Sequence, residues 1–143
     1  MEDEFIKNIL EKPNKSWKIT KSIKVIDDEV ERVVREFYKP YLTFEKNLKN
    51  LEDTLKKLEG YMYVKNIEEI PKSYYVRYLN KKYFYDLTLC KGGFLISTNG
   101  NKLNLYTGKI YIKVDREKVT LFMKLKKNDK FRALLNDLDE RNK

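Results

Sequence analysis

The chain has 143 residues, a length that suits one domain able to bury a core without disulfide or metal staples. Histidine is absent and cysteine occurs once, at Cys90, which removes Ser-His-Asp and Cys-His nucleophile systems, HExxH metalloproteases, Cys/His zinc sites and any disulfide framework. The net charge is +9, and it is unevenly placed: residues 1–60 carry 13 basic and 13 acidic side chains, whereas residues 61–143 carry 18 and 9.

Glu2 to Lys12 predicts a short amphipathic helix, with Phe5, Ile6, Ile9 and Leu10 on one face and Pro13 as its stop. From Ser16 to Val25, Trp17, Ile19, Ile23 and Val25 share one parity, which predicts a strand. Asp27 and Asp28 are cap residues for a following helix whose apolar positions Val30, Val34, Phe37, Tyr41, Phe44, Leu48, Leu51, Leu55 and Leu58 alternate by four and three. Pro40 interrupts this seam, so one kinked helix competes with two helices meeting near Lys39 to Thr43, and Gly60 sits where a helix-ending glycine belongs. Such a seam supports either a coiled coil between chains, through Val30, Val34, Phe37, Leu48, Leu51, Leu55 and Leu58, or packing on the chain's own sheet. Glu45, Glu52 and Glu59 fall at e positions and Asn47 and Thr54 at g, a pattern that gives a parallel homodimer little charge pairing.

After Gly60 the hydrophobic period changes from seven to two. Strands are predicted at Tyr61 to Lys65, at Tyr74 to Leu79 and Lys82 to Leu89 as a hairpin about Asn80-Lys81, and at Gly93 to Thr98, Asn101 to Tyr106, Lys109 to Val114 and Val119 to Leu125. Two-residue turns at Asn99-Gly100 and Thr107-Gly108 set Thr98 opposite Asn101 and Tyr106 opposite Lys109, and a four-residue turn sets Val114 opposite Val119. One face then collects Phe94, Ile96, Leu103, Leu105, Ile110, Ile112, Val114, Val119, Leu121, Met123 and Leu125. A last helix, capped at Asn128 or Asp129, turns Phe131, Leu134, Leu135 and Leu138 to one side and is placed to close an end of the sheet. The expected architecture is α+β: a helical region over 1–60, then a basic antiparallel β domain over 61–143 that forms a small SH3-like barrel or strongly bent sheet with a short C-terminal helix.

The opposite face of that register carries Lys102, Asn104, Tyr106, Lys109, Tyr111, Lys113, Thr120, Phe122 and Lys124, with Tyr111 across from Phe122, Lys102 across from Lys113 and Lys109 across from Lys124. Rings interleaved with ammonium groups suit single-stranded nucleic acid, since rings stack bases while lysines neutralise phosphates. Tyr74, Tyr75, Tyr78, Tyr83 and Tyr85, with Arg77, Lys81 and Lys82, add a second aromatic and basic cluster. Against this stand a residue bias towards Lys, Asn, Ile and Tyr, the use of lysine as a solubility device, and the reading that Phe122 and Tyr111 pack on the helices or on a protein partner.

No catalytic arrangement emerges. Asp27-Asp28-Glu29, Glu68-Glu69 and Asp137 to Glu140 have ordinary cap or solvated-helix readings, and Gly92-Gly93 lacks the GK[ST] of a phosphate loop, so no enzyme, metal or cofactor is expected. Met1-Glu2-Asp3-Glu4 is acidic where a signal or transit peptide is basic, and no apolar run reaches about 18 residues. An intracellular, soluble protein with a free thiol and no membrane partner is the expectation.

The stretch Ser73-Tyr74-Tyr75-Val76-Arg77-Tyr78-Leu79-Asn80-Lys81, followed by Lys91-Gly92-Gly93-Phe94-Leu95-Ile96, resembles segments of small uncharacterised proteins of large nucleocytoplasmic DNA viruses that join a helical region to a short β module. The resemblance covers about residues 72–125. It implies a virus-encoded, non-enzymatic protein associated with the virion or its genome. Combined with the residues, it gives a non-catalytic binder of DNA, RNA or another polyanion. The alternative is a structural or adaptor protein that assembles through the helical seam and the aromatic face.

Overall fold

The computed structural model describes residues 18–141. The helix expected over 2–12 lies outside them. Within them, α1 (Ile23–Tyr38) begins where Ser22 turns extended and its Oγ accepts the Val25 N–H at 3.3 Å. The strand expected at 16–25 is therefore corrected over its described part. Ile19, Ile23, Ile26 and Val30 recur at three to four residues, and with a serine cap that helical stripe prevails over the short alternation.

Pro40 sits in a 3-10 turn (Lys39–Tyr41) that separates α1 from α2 (Glu45–Lys57), so two helices form rather than one kinked helix. Phe44, not Thr43, occupies the N-cap position of α2. Gly60 follows the helix with φ +80°, a conformation that suits glycine at a helix exit.

Six strands follow: β1 (Tyr61–Val64), β2 (Tyr75–Asn80), β3 (Cys90–Asn99), β4 (Lys102–Tyr106), β5 (Tyr111–Asp115) and β6 (Val119–Lys124), and α3 (Lys127–Arg141) ends the fold. They form one antiparallel sheet in the order β1-β6-β2-β3-β4-β5. The sheet is open, because no pair joins its edge strands β1 and β5. This overturns the SH3-like barrel, or strongly bent sheet, expected from the sequence, while the α+β class with a C-terminal helix stands.

The reason lies at 115–118. Asp115 accepts the Glu117 N–H at 3.1 Å and caps a 3-10 turn (Arg116–Lys118), and the Arg116 guanidinium donates to the Lys65 carbonyl. From there β6 leaves β5 and enters between β1 and β2, with Val76 paired to Met123 and Met62 also to Met123. The expected pairs Val114–Val119, Tyr111–Phe122 and Lys109–Lys124 are thus absent. Tyr106 pairs with Tyr111, Lys102 with Asp115 and Asn104 with Lys113, two residues out of the expected register. Thr98 pairs with Leu103 in place of Asn101, and a bulge between Leu95 and Ser97 turns Leu95 into the core instead of Phe94 and Ile96. Nor does a hairpin form about Asn80-Lys81: residues 81–89 are a loop between β2 and β3. Gly92 is required where β3 meets β2, since a Cβ there would lie 1.7 Å from the Val76 carbonyl oxygen.

Both faces of the sheet are packed. One cluster joins Ile19, Ile26 and Ala133 to Val76, Leu95, Leu103, Leu105, Val114, Leu121 and Met123. The other joins the seam residues Val30, Val34, Phe37, Leu51 and Leu58 to Tyr61, Leu79, Leu87, Leu89 and Phe122. The coiled-coil reading of the seam is corrected accordingly, because its apolar side chains cover the second sheet face. The expected closing face of α3 is also corrected. Phe131, Leu134, Leu135 and Leu138 are exposed, and among the described side chains of α3 Ala133 is the one in the core.

Candidate functional site

The loop between β2 and β3 presents three consecutive rings. Tyr83, Phe84 and Tyr85 are 55%, 45% and 51% exposed, and on the neighbouring start of α2 Phe44 and Leu48 are 38% and 55% exposed. The rings touch in series: Phe84 lies 5.5 Å from Phe44, 6.0 Å from Tyr41 and 5.7 Å from Tyr85, and Tyr85 lies 6.2 Å from Tyr83. They form a contiguous apolar surface, with the Lys82 ammonium 5.4 Å from the Tyr83 ring.

The loop is held from beneath by side chains of the two helices. Asn47 is fully buried on α2. Its Nδ2 donates to the Tyr41 and Phe84 carbonyls, and its Oδ1 accepts the Leu87 N–H, each at 2.8 Å. Tyr38 donates to the Leu87 carbonyl at 2.9 Å and lies 2.8 Å from Thr54 Oγ1, while Asn50 donates to Asp86 at 2.8 Å. Burial raises the Tyr38 pKa, so the hydroxyl stays a donor. A buried amide that satisfies one N–H and two carbonyls at once fixes the backbone of 84–87, so the rings are displayed from an ordered loop.

The ten residues expected to bind nucleic acid are dispersed. Phe122 is fully buried and packs 6.0 Å from Tyr63, and Tyr106 is buried with its hydroxyl on the Gly108 carbonyl at 3.1 Å. Arg77 donates to the Cys90 carbonyl at 3.1 Å within the sheet. Tyr111 and Lys109 are exposed at the β5 edge. Lys81, Lys82, Lys102 and Lys113 share a groove of about 800 Å³ with Lys118, Asp115 and Glu117. Lys124 lines a separate cleft beside the start of α3.

Of the residues expected to oligomerise, Val30, Val34, Phe37, Leu51 and Leu58 are buried, Leu55 is half-buried, and Leu48 stands exposed on α2 four residues after Phe44. Phe84, Asn47 and Asn50 carry roles that sequence reasoning missed. The available signal was the run Tyr83-Phe84-Tyr85 itself, since a half-buried strand alternates and three successive large rings do not fit one.

Burial pushes the Cys90 thiol up, with Tyr78 and Arg77 opposing, which is the reverse of what an activated nucleophile needs. Among the described residues no group of three or more Cys, Asp or Glu side chains is placed to hold a metal ion, and no helix is long and apolar enough to cross a membrane. No protein-family model matches the chain, and searches of curated proteins and of solved structures return no significant match.

Proposed function

We propose that this protein is a non-catalytic interaction module that docks a partner protein on the patch formed by Tyr83, Phe84, Tyr85, Phe44 and Leu48. The observation that carries the reading is the combination of exposure and order. The touching rings Tyr83, Phe84, Tyr85 and Phe44 are exposed, with Leu48 exposed one turn further along α2, while Asn47 fixes the loop that bears three of the rings. Rings held in place before binding lose little freedom on association, and aromatic side chains are the usual anchors of protein interfaces. The Lys82 ammonium lies over the Tyr83 ring at 5.4 Å, so the fitting partner is an acidic segment carrying an aromatic or aliphatic anchor.

This reading is supported over polyanion binding by the sheet face because two of the rings nominated for that face, Tyr106 and Phe122, are buried. Selection of a random peptide display library on the full chain tests it. Enrichment of acidic peptides with apolar anchors, whose binding falls at least tenfold on a Tyr83→Ser/Phe84→Ser/Tyr85→Ser variant of unchanged fold, is expected. Absence of enrichment, or equal binding to the variant, would overturn it.

A further inference from the structure

Three clefts in the surface differ in charge. In the first, about 530 Å³, Lys21, Arg32, Lys65 and Lys81 are offset by Glu29, Glu36 and Glu69, with Lys21–Glu29 at 3.0 Å and Arg32–Glu36 at 3.4 Å. In the second, five lysines meet Asp115, which takes Lys102 at 3.2 Å, and Glu117. The third, about 480 Å³, lies between the β2/β3 surface and the start of α3. Lys124, Lys126, Lys127 and Lys130 line it with Ser73, Tyr75, Phe94 and Leu125, and no acidic side chain does. No carboxylate among the described residues lines this cleft, and that of Asp129, in the first turn of α3, is taken up by the Tyr74 hydroxyl and the Lys126 N–H.

Its remaining wall is aromatic. Tyr75 and Phe94, paired across β2 and β3, meet at 84° with ring centroids 5.0 Å apart, and both are half-buried. The Tyr75 hydroxyl is tied to the Lys91 carbonyl at 2.6 Å, which fixes that ring. Two perpendicular rings make a corner in which a planar group can lie flat on one and meet the edge of the other. Lys126 sits over the Tyr74 ring at 4.4 Å and near Ser73 Oγ at 3.4 Å, and the adjacent Asp129 accepts the Tyr74 hydroxyl at 2.7 Å and the Lys126 N–H at 2.8 Å. Lys124, Lys127 and Lys130 have no ion pair among the described residues.

We infer that this cleft binds a nucleotide unit, its base against the Tyr75–Phe94 corner and its phosphate among Lys124, Lys127 and Lys130. Lysines alone would accept any anion. The rings beside them select an anion joined to a flat aromatic group, which a peptide of acidic residues alone lacks and a nucleotide supplies, free or within a single strand. The site is separate from the aromatic loop patch and stands or falls independently of it.

The test is anisotropy of fluorescein-labelled (dT)10 and of a fluorescent adenosine triphosphate analogue, titrated with the full chain from low to physiological salt. Variants are Lys124→Glu/Lys127→Glu, Phe94→Leu and, in the neighbouring groove, Lys113→Glu/Lys118→Glu, each checked for an unchanged thermal melt. The expected result is binding of at least one probe. It weakens at least tenfold in Lys124→Glu/Lys127→Glu, about fivefold or more in Phe94→Leu, and less than threefold in the groove variant. For the strand, three or four phosphate contacts give a log K against log salt slope of about −2 to −3. Tighter binding of (dT)10 than of the nucleotide identifies a strand as the source, and the reverse order a free nucleotide. No binding of either probe at low salt would overturn the inference. So would binding unaffected by Lys124→Glu/Lys127→Glu, or a labelled ten-residue polyglutamate bound as tightly and with the same loss in Phe94→Leu.

Discussion

Asn47→Leu removes the amide that holds the aromatic loop while keeping the side chain close in volume. Three 2.8 Å hydrogen bonds are lost at once, to the Tyr41 carbonyl, the Phe84 carbonyl and the Leu87 N–H. They are not equivalent. The Tyr41 carbonyl keeps the Phe44 N–H at 3.2 Å, and the Phe84 carbonyl lies in a partly buried bond that water can replace. The Leu87 N–H is buried and left without its acceptor, which costs about 1–3 kcal/mol, and each carbonyl bond adds about 0.5–1 kcal/mol. The expected loss is about 2–5 kcal/mol, or about 10 °C in Tm for a chain of 143 residues. Urea unfolding of wild type and variant at matched m values measures it, and amide exchange at Leu87 locates it. Asn50→Ala, which breaks only the Asp86 contact at the margin, should cost less than about 1 kcal/mol and serves as control. A loss below about 1 kcal/mol for Asn47→Leu, with Leu87 exchange unchanged, would refute the view that this amide orders the loop.

Phe122→Ala should cost about 3–5 kcal/mol because the ring is fully buried in the second cluster, whereas Tyr111→Ala at the sheet edge should cost less than about 1 kcal/mol; similar losses by urea unfolding would contradict the packing of β6 between β1 and β2. Leu134→Lys/Leu138→Lys on α3 should change stability by no more than about 1 kcal/mol, since both side chains face solvent, and a large drop in Tm would place that face in the core after all. Tyr38, Tyr61, Tyr74 and Tyr78 are each raised above their ordinary value, first by burial. Groups whose folded pKa exceeds the unfolded one contribute stability that is full below about pH 10 and is lost as pH rises above it. Absorbance titration should therefore show these four of the 11 tyrosines ionising late, together with an alkaline loss of circular dichroism. A single step near pH 10 with the fold intact would contradict it.

The strands after residue 60 were legible because their turns are marked and their side chains alternate. The expected β4/β5 register is out by two residues, yet two is the period of a strand, so Leu103, Leu105, Ile112 and Val114 still share a face. The β3 bulge was not legible, and its single extra residue moved Phe94 and Ile96 off the core side. The partners of β6 were hidden for a different reason. Asp115 to Lys118 reads locally as a hairpin loop, and only the long-range pairing with β1 and β2 shows that it is not. The seam of α1 and α2 carries the spacing of a coiled coil because any helix pair resting on an apolar sheet needs the same stripe, and Phe122 and Leu79 supply that sheet. Asn47 looked like a surface position of that seam. Its role depends on a loop 37 to 40 residues away in sequence, which no local pattern announces.

The docking reading is tested most directly by a chemical-shift titration of the isotope-labelled full chain with the tightest display-selected acidic peptide. The account predicts perturbations centred on Tyr83 to Asp86, Phe44 and Leu48, with the loop backbone ordered before peptide is added. Perturbations centred elsewhere, for example on Phe131 and Leu134 of α3, would contradict it, as would a loop that becomes ordered only in the complex.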